Sequence, residues 1–300
     1  MDLKIGKPPF TTRKVHKREF KGPFAVLSPV IVWMLIFFVV PIILIIIASF
    51  FNKGDLAGIN YSSPTFNNYI SFLDERYLKI LFDSLAISLI TTLICLFLGY
   101  PFAYFVAKTP KKYRALFLMM IILPFWTNSL IRTYAWIILL RTEGIINTYL
   151  MNLHIIKVPL SLLYNQGSVL LGMVYTMFPF MVLPLYSTLE KLDFSLLEAA
   201  QDLGAKPFDA FMRVTLPLTK SGILSGSLLV FVPTLGLFFI PDLMGGSKIT
   251  LISNLIKNQF LSSRNWPFGS AISIIIILLM FGFMNLFTRL GGSKDKMEVM

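Results

Sequence analysis

Long apolar runs alternate with short polar connections along this chain of 300 residues. A membrane-spanning helix needs roughly 20 apolar residues, because it rises about 1.5 Å per residue across a hydrocarbon layer about 30 Å thick. Six runs fit this requirement, and they cover Phe24–Phe51, Leu85–Ala107, Ala115–Leu140, Ser168–Tyr186, Ile223–Ile240 and Ser270–Thr288. The pattern predicts an all-α integral membrane fold with six transmembrane helices.

Proline lies inside five of these six runs. In a water-soluble helix proline removes a hydrogen bond and kinks the chain, whereas neighbouring helices satisfy the freed carbonyl groups in a membrane protein. The prolines concerned are Pro41, Pro101, Pro124, Pro179, Pro184 and Pro233. We therefore expect kinked or locally unwound spans.

The composition excludes a soluble globular domain, since 56% of the residues are hydrophobic, 14% are charged and the mean hydropathy is +0.74. A basic segment precedes the first run, as in a secretory signal peptide. The run is much longer than the apolar core of such a peptide and has no clear small-x-small cleavage site. It is therefore predicted to be a retained helix.

The basic residues flank the spans unevenly. When the connections are assigned alternately to two sides, 18 of the 27 Lys and Arg residues fall on one side, eight fall on the other and Arg132 lies within the third span. Lys and Arg near span ends stay in the cytoplasm, so both termini are predicted to be cytoplasmic. The net charge of +12 then reflects topology and attraction to anionic membrane lipid, and it does not indicate a nucleic-acid partner.

Few residues suit covalent or metal chemistry. The single cysteine, Cys95, excludes an intramolecular disulfide, and the predicted topology places His16 and His154 on opposite sides of the membrane. The sequence contains no nucleophile elbow and no phosphate-binding loop; Gly-Gly-Ser-Lys at 245–248 has the residues of such a loop in the wrong order. We predict no catalytic residue, metal site or cofactor, so any ATP must bind to another subunit.

The connection between the fourth and fifth spans, here called the 190–220 loop, has the pattern of two short helices. Ser195 and Glu198 have the spacing of a capping box at a helix start. Gly204 can take the left-handed conformation that ends a helix, and Pro207 suits the first turn of the next. Apolar residues recur at helical intervals in both helices: Leu196, Leu197, Ala200, Leu203, Phe208, Phe211 and Met212.

The second short helix is predicted to stop at Leu216–Pro217. Together the two helices present an apolar stripe with charged edges, which a groove on a cytoplasmic subunit can accept. The alternative is an amphipathic element that lies on the membrane surface without a partner. The residues taken alone favour neither interpretation.

The sequence Glu-Ala-Ala-Gln-Asp-Leu-Gly at 198–204 is followed, after nine residues, by Val-Thr-Leu-Pro at 214–217. It resembles the EAA signature of ABC importer permeases, with valine where the family commonly has isoleucine. The resemblance implies the type I ABC importer permease (MetI-like) fold, in which this loop forms coupling helices that sit in a cleft of an ATPase subunit. The coupling residues it implies are Glu198, Ala199, Ala200, Asp202, Gly204, Leu216 and Pro217.

Further segments, at 98–103, 123–132, 184–186, 190–193 and 242–246, resemble B-type permease subunits of spermidine/putrescine importers. This resemblance implies ATP-driven polyamine import across the bacterial cytoplasmic (inner) membrane. The partners it implies are an ATPase dimer carrying ATP and Mg, a second homologous permease subunit and an extracytoplasmic polyamine-binding protein. The basic N-terminal tail is not matched.

A polycation that crosses a hydrocarbon layer needs carboxylates, carbonyl dipoles and aromatic faces in place of water. The predicted pathway residues are Trp126, Asn128, Tyr134, Phe238 and Asp242. Asp242 could bind a substrate amine, accept hydrogen bonds from a broken helix or pair with Arg132. Arg132 would repel a cationic substrate and is interpreted as a structural anchor.

The predicted organisation is a basic cytoplasmic N-terminal tail at 1–23, a six-helix permease domain at 24–290 and a cytoplasmic C-terminal tail at 291–300. A secondary transporter is a weaker hypothesis, because the central parts of the spans lack Asp and Glu and no repeat is evident. An ABC permease for another small solute, such as iron or thiamine, remains an alternative, as does a structural or assembly membrane protein.

Overall fold

The computed structural model describes residues 21–54, 58–62, 64–246 and 249–290. The predicted C-terminal tail, 291–300, lies outside these residues, as does the predicted N-terminal tail apart from residues 21–23. The chain divides into two units at Ile45–Ile46. The first unit is helical in its described part, and the second unit contains every helix and strand that follows α2 (Val40–Ser49) in the chain.

Helices account for most of the described residues. In chain order they are α1 (Lys21–Met34), α2 (Val40–Ser49), α3 (Asn67–Phe72), α4 (Glu75–Lys108), α5 (Lys111–Ile122), α6 (Ser129–Leu140), α7 (Ile145–Asn152), α8 (Gln166–Leu189), α9 (Ser195–Asp202), α10 (Pro207–Ala210), α11 (Leu216–Leu218), α12 (Lys220–Gly236), α13 (Ile252–Leu261) and α14 (Trp266–Leu290). Three π-helical segments, Leu35–Val39, Phe211–Thr215 and Pro241–Gly245, and one 3-10 turn, Leu123–Trp126, interrupt the series. Strands β1 (Asn52–Lys53) and β2 (Ile59–Asn60) form a small antiparallel pair with Asn52 opposite Asn60.

Four helical stretches in the described residues are long and apolar enough to cross a membrane: Leu27–Ser49, Glu75–Lys108, Gln166–Leu189 and Trp266–Arg289. Two bent pairs raise the number to six if each pair is one span. They are Lys111–Trp126 with Ser129–Asn152, bent by 93°, and Pro207–Leu218 with Lys220–Gly236, bent by 66°. All six predicted spans therefore correspond to helical elements, and the third is broken rather than continuous.

The prolines affect the helices unequally. Pro101 lies inside α4, Pro179 and Pro184 lie inside α8, and these helices continue past them. Pro124, in contrast, lies in the 3-10 turn at the bend of the third span. The predicted unwinding is therefore concentrated where the proline belongs to a tightened turn and the chain changes direction.

Three helices, α4, α8 and α12, pack against one another and form the centre of the second unit. Their shared core contains Cys95, Tyr100, Ala103, Ala107, Met177, Met181, Val182, Leu185, Leu189 and Val230. Glycines allow α12 to approach α8 closely: a Cβ atom at Gly222 would lie 2.5 Å from Thr188 Oγ1, and one at Gly226 would lie 2.9 Å from Met181 Sδ. Small residues at such crossings are typical of membrane helices.

A second core joins α13 and α14 to α3 and the start of α4. Its buried residues include Phe72, Leu81, Ile252, Phe268 and Ile272. The backbone amide of Ile252 donates a hydrogen bond of 2.8 Å to Ser84 Oγ, which fixes the start of α13 against α4. Ser253 Oγ, also on α13, donates a hydrogen bond of 2.8 Å to the carbonyl of Leu237, which holds α13 beside the irregular chain that follows α12.

Candidate functional site

The 190–220 loop folds into the two short helices that its sequence predicts, α9 and α10. Gly204 lies between them at a φ of +88°, in the left-handed region that favours glycine, and Pro207 is the first residue of α10. A Cβ atom at Gly204 would meet no atom within 4 Å in the described structure. Glycine is therefore needed at this position for its backbone conformation and not for lack of space.

Two details of the predicted loop are wrong. The capping box is absent, because α9 begins at Ser195 itself and the residue before it, Phe194, makes no side-chain cap. Asp193 takes this role by accepting a 3.0 Å hydrogen bond from the backbone amide of Ser195. Helical structure also does not stop at Leu216–Pro217: α11 begins there, and the bend follows at Thr219.

The Asp193 cap depends on the charge of its carboxylate. Hydrogen bonds from the backbone and side chain of Ser195 lower the pKa of Asp193 below its usual value. Because the folded-state pKa is depressed, the stabilisation is present at neutral pH and is lost as the pH falls through that lowered value.

Aromatic contacts fix the inner side of the loop to α4. The hydroxyl groups of Tyr100 and Thr219 are hydrogen bonded at 2.8 Å, and the Tyr100 ring meets the Phe211 ring edge-on with centroids 5.6 Å apart. Tyr104 packs in the same way against Phe194 and Phe211, at 6.1 and 6.3 Å. These contacts connect the loop directly to a long helix of the membrane core.

Basic residues add two further links at this end of the molecule. Lys108 Nζ lies 4.7 Å from the centroid of the Tyr104 ring and 5.7 Å from that of Phe194. Arg114, near the start of α5, forms a 3.2 Å ion pair with Glu190 at the end of α8. The loop is therefore attached to the ends of the second, third and fourth spans.

The outer side of the loop is open and partly apolar. Leu203 is 90% exposed and Phe208 is 71% exposed. The predicted coupling residues Glu198, Ala199, Asp202, Gly204 and Pro217 are exposed, whereas Ala200 and Leu216 are half-buried. A rigidly held helix pair with exposed apolar side chains and charged neighbours has the chemistry of a surface that docks into a groove.

The predicted pathway residues of the third span lie at its break. Trp126 ends the 3-10 turn with its side chain 84% exposed, and Tyr134 is exposed on α6. Asn128 immediately precedes α6, and its side-chain oxygen accepts a 2.8 Å hydrogen bond from the backbone amide of Leu130. Asn128 therefore has a clear structural role as a helix cap.

Arg132 is held by aromatic rings. Its guanidinium carbon lies 4.1 Å from the centroid of the Phe125 ring and 5.7 Å from that of Tyr175. Its Nε and Nη1 atoms are buried and have no hydrogen-bond partner among the described residues. This position fits a structural anchor that joins the broken third span to α8.

Asp242 lies beyond the end of α12, where the chain is irregular and then forms the π-helical segment Pro241–Gly245. Its carboxylate pairs with Lys257 Nζ and accepts a hydrogen bond from Asn254 Nδ2, both on α13. Asn254 Nδ2 also donates to the carbonyl of Phe238 at 2.8 Å. Asp242 therefore pairs with Lys257, a partner that the sequence analysis did not consider.

Phe238 completes this group, since Lys257 Nζ lies 5.7 Å from the centroid of its ring. We call Phe238, Asp242, Asn254 and Lys257 the Asp242 cluster. It unites two of the predicted pathway residues, while Trp126, Asn128 and Tyr134 belong to the bent third span. The two regions are neighbours, because α6 packs against Pro241–Gly245.

Sequence reasoning missed Asn254, Lys257, Asp193 and Tyr100. Asn254 and Lys257 are three residues apart, a spacing that puts them on one face of a helix, and this signal was available. Tyr100 had no such signal, since its partner Thr219 lies 119 residues away in sequence.

Comparison with known proteins places this architecture in a family. The sequence model of binding-protein-dependent transport system inner membrane components matches residues 99–293. The chain belongs to this family. It is thus a multi-pass inner membrane component of a binding-protein-dependent transport system, and members of the family are transport components rather than enzymes.

Curated relatives within this family are similar over nearly the whole chain. The spermidine/putrescine transport system permease protein PotB of Escherichia coli (strain K12) is 48% identical over 270 residues, which cover 89% of this chain and 98% of that protein. PotB of Haemophilus influenzae is 48% identical over 250 residues, covering 83% and 86%. A PotB homolog of Mycoplasma genitalium is 29% identical over 278 residues, covering 90% and 92%.

A solved structure supports the fold of this family member. A bacterial ABC transporter involved in import of the acidic polysaccharide alginate contains a chain that matches with a TM-score of 0.70 and 18% identity, covering 91% of this chain and 96% of that one. The predicted type I ABC importer permease fold is confirmed. A second structure of an alginate transporter, in complex with an alginate-bound periplasmic protein, matches with a TM-score of 0.69 over 90% of this chain and 93% of that one.

Proposed function

We propose that this chain is a permease subunit of an ABC importer that moves spermidine and putrescine into the cell. The observation that carries the proposal is the 48% identity to spermidine/putrescine permease proteins over most of both chains. The 190–220 loop supports the proposal, because one side of the loop is exposed and the other side is attached to the membrane helices.

ATP is hydrolysed on a separate ATPase dimer that carries ATP and Mg, and this chain holds no cofactor. The 190–220 loop enters a cleft of one ATPase subunit through Glu198, Ala199, Ala200, Asp202 and Gly204, with Leu216–Pro217 at its base. Both chain termini lie in the cytoplasm on the same side as this loop. The excess of Lys and Arg on that side supports this orientation.

Closure of the ATPase moves the loop, and the contacts of Tyr100, Tyr104 and Arg114 transmit that movement to α4 and α5. A second, homologous permease subunit completes the membrane domain, and an extracytoplasmic binding protein delivers the polyamine. The pathway then opens alternately outward and inward.

Along this pathway the polyamine meets aromatic faces and one carboxylate. Trp126 and Tyr134 are exposed at the bent third span, and Asn128 lies between them in the sequence. Phe238 and Asp242 supply a ring and a negative charge at the irregular end of the fifth span. These groups suit a flexible cation, which exchanges water for cation–π contacts and ion pairing.

The direct test is uptake into proteoliposomes that contain the complete complex and enclose ATP. We expect accumulation of labelled spermidine and putrescine with ATP and none with a non-hydrolysable analogue. An excess of unlabelled polyamine should abolish the signal, whereas amino acids, ferric iron and thiamine should leave it unchanged. Accumulation of iron or thiamine in place of polyamine would assign the chain to an importer of another solute.

A further inference from the structure

Lys257 occupies the place on Asp242 that a substrate amine would take in one of the three roles that the sequence left open for this residue. Its Nζ pairs with the Asp242 carboxylate and lies 5.7 Å from the centroid of the Phe238 ring. A carboxylate and an aromatic ring around one ammonium group are the usual elements of an alkylammonium site. The Asp242 cluster therefore already binds a primary ammonium, and this ammonium is part of the chain.

The lysine side chain is chemically close to one end of a polyamine. It is a flexible stem of four carbons that ends in a compact primary ammonium with three donors. Putrescine is a four-carbon chain with the same group at each end. An arrangement that accommodates Lys257 Nζ thus accommodates a terminal ammonium of putrescine or spermidine.

The receiving carboxylate is held in place independently of Lys257. Asn254 is buried and donates hydrogen bonds both to Asp242 and to the Phe238 carbonyl. The backbone amide of Asp242 also donates to the Phe238 carbonyl, at 3.2 Å. Asp242 consequently keeps its position when the lysine ammonium leaves.

The ion pair is accessible, since the side chains of Lys257 and Asp242 are 29% and 31% exposed. An ion pair in contact with water contributes little net stability, so another cation can replace Lys257 without a large cost. Beside the pair lies a cavity of about 390 Å³ between α12, α13 and α14, and Phe238 and Lys257 are among its lining residues. Most of the residues that line this cavity are apolar, so it can accommodate the alkyl chain of the incoming polyamine.

We propose that Lys257 is a tethered competitor that occupies the substrate-ammonium site on Asp242 and is displaced by a terminal ammonium group of the incoming polyamine. This inference rests on the proposed function, because it takes the transported solute to be a polyamine. Its consequence is specificity: a solute without a primary ammonium cannot replace Lys257 on the carboxylate.

The test measures putrescine uptake in proteoliposomes with the complete complex and compares wild type with Lys257→Met, Asp242→Asn and the double variant. We expect Lys257→Met to lower the KM for putrescine by at least about three-fold, because the competitor is gone. Asp242→Asn should raise the KM, and the double variant should behave like Asp242→Asn. Lys53→Met, which removes another predicted outer lysine whose Nζ bonds to the carbonyl of Ser263, is the charge-matched control and should keep the wild-type KM.

A second measurement uses n-butylammonium, which copies the lysine side chain. It should inhibit putrescine uptake by Lys257→Met more strongly than uptake by wild type, because the vacated site is open to it. The inference is overturned if Lys257→Met leaves the KM unchanged or raises it, or if Lys53→Met lowers the KM equally. It is also overturned if Lys257→Met and Asp242→Asn destabilise the solubilised complex equally and lose uptake in parallel, since the pair would then be only structural. Absence of polyamine uptake by wild type would instead contradict the proposed function itself.

Discussion

The 190–220 loop and the Asp242 cluster lie at irregular parts of the chain on either side of α12, yet they use their side chains in opposite ways. The loop turns Leu203 and Phe208 outward, and its charged residues Glu198 and Asp202 are exposed beside them. In the Asp242 cluster the carboxylate is satisfied by Asn254 and Lys257 of the same chain. The loop exposes side chains that can contact another molecule, whereas in the Asp242 cluster the carboxylate is already occupied by residues of the same chain.

This difference predicts which property, transport or stability, a substitution in each region impairs first. Substitutions on the outer face of the loop should impair transport while the chain stays folded, because the exposed side chains there contribute little to the packing of the hydrophobic core. Changes in the buried part of the Asp242 cluster should impair folding first, because they leave polar groups unsatisfied. Stability and uptake must therefore be measured together in each variant.

The largest effect is expected from Asn254→Leu. Asn254 is 2% exposed, and its side chain satisfies the Phe238 carbonyl as well as Asp242. Loss of these bonds in a buried site should lower the stability of the solubilised protein by about 1–3 kcal/mol, read as a fall in its thermal midpoint. Asn258→Leu, one turn further along α13 at a half-buried position, is the control and should have a much smaller effect. Equal midpoints for both variants would remove the contrast between the two regions.

Gly204→Val should affect the loop specifically. A β-branched residue at a φ of +88° costs on the order of 1–2 kcal/mol locally, which corresponds to roughly a ten-fold loss of the docking-competent loop and of ATP-driven uptake. The thermal midpoint should change little, because Gly204 is exposed. Gly204→Asn is the matched control, since asparagine tolerates the left-handed region, and it should retain most of the uptake. Equal loss of uptake in the two variants would mean that backbone conformation is not the cause.

Tyr100→Phe examines the link between the loop and the membrane core. It removes the hydrogen bond to Thr219 and keeps the ring against Phe211, so the expected cost is about 0.5–1.5 kcal/mol. ATP hydrolysis should continue while uptake per ATP falls, because the loop moves less tightly with α4. Tyr113→Phe, at an exposed position on α5, should leave both rates unchanged. An unchanged ratio of uptake to hydrolysis in Tyr100→Phe would exclude this hydrogen bond as a transmission contact.

Glu190→Gln should have the smallest effect. The ion pair with Arg114 is partly exposed, and Arg114 Nε also donates to the carbonyl of Thr109 at 2.8 Å. The expected loss is about 0.2–1 kcal/mol, and it should shrink as the salt concentration rises. A thermal-midpoint series at increasing salt measures it. A large, salt-independent loss would show that this pair, and not the aromatic contacts, holds the loop.

The two regions also differ in how far the sequence predicted them. Local rules predicted the turn between the two short helices of the loop, because a glycine that needs a positive φ and a proline at a helix start act through their own backbone. The apolar runs likewise located all six spans, since chain length and hydropathy decide what crosses a membrane. The capping box failed because Asp193, two residues before Ser195, competes for the same amide.

The Asp242 cluster required the tertiary structure. Asp242 and Lys257 are 15 residues apart, and the irregular chain between α12 and α13 decides whether they meet. The 93° bend of the third span had a sequence signal in Pro124, but Pro101 and Pro179 gave the same signal inside continuous helices. Packing with neighbouring helices determines which proline ends a helix, and one sequence does not specify that packing.

The central claim is that an ATPase subunit binds the 190–220 loop on the cytoplasmic side of the membrane. Site-directed photo-crosslinking tests this claim directly. In a Cys95→Ala background, which removes the single native cysteine, Leu203→Cys carries a maleimide-benzophenone probe, and Val158→Cys is the exposed counterpart on the predicted outer side. In intact cells we expect Leu203→Cys to react only with a membrane-permeant maleimide, whereas Val158→Cys should react with an impermeant maleimide added outside. In the assembled complex we expect Leu203→Cys to crosslink to the ATPase subunit and Val158→Cys to form no ATPase adduct. Labelling of Leu203→Cys from outside, or an assembled complex in which it crosslinks to no ATPase, would contradict the account.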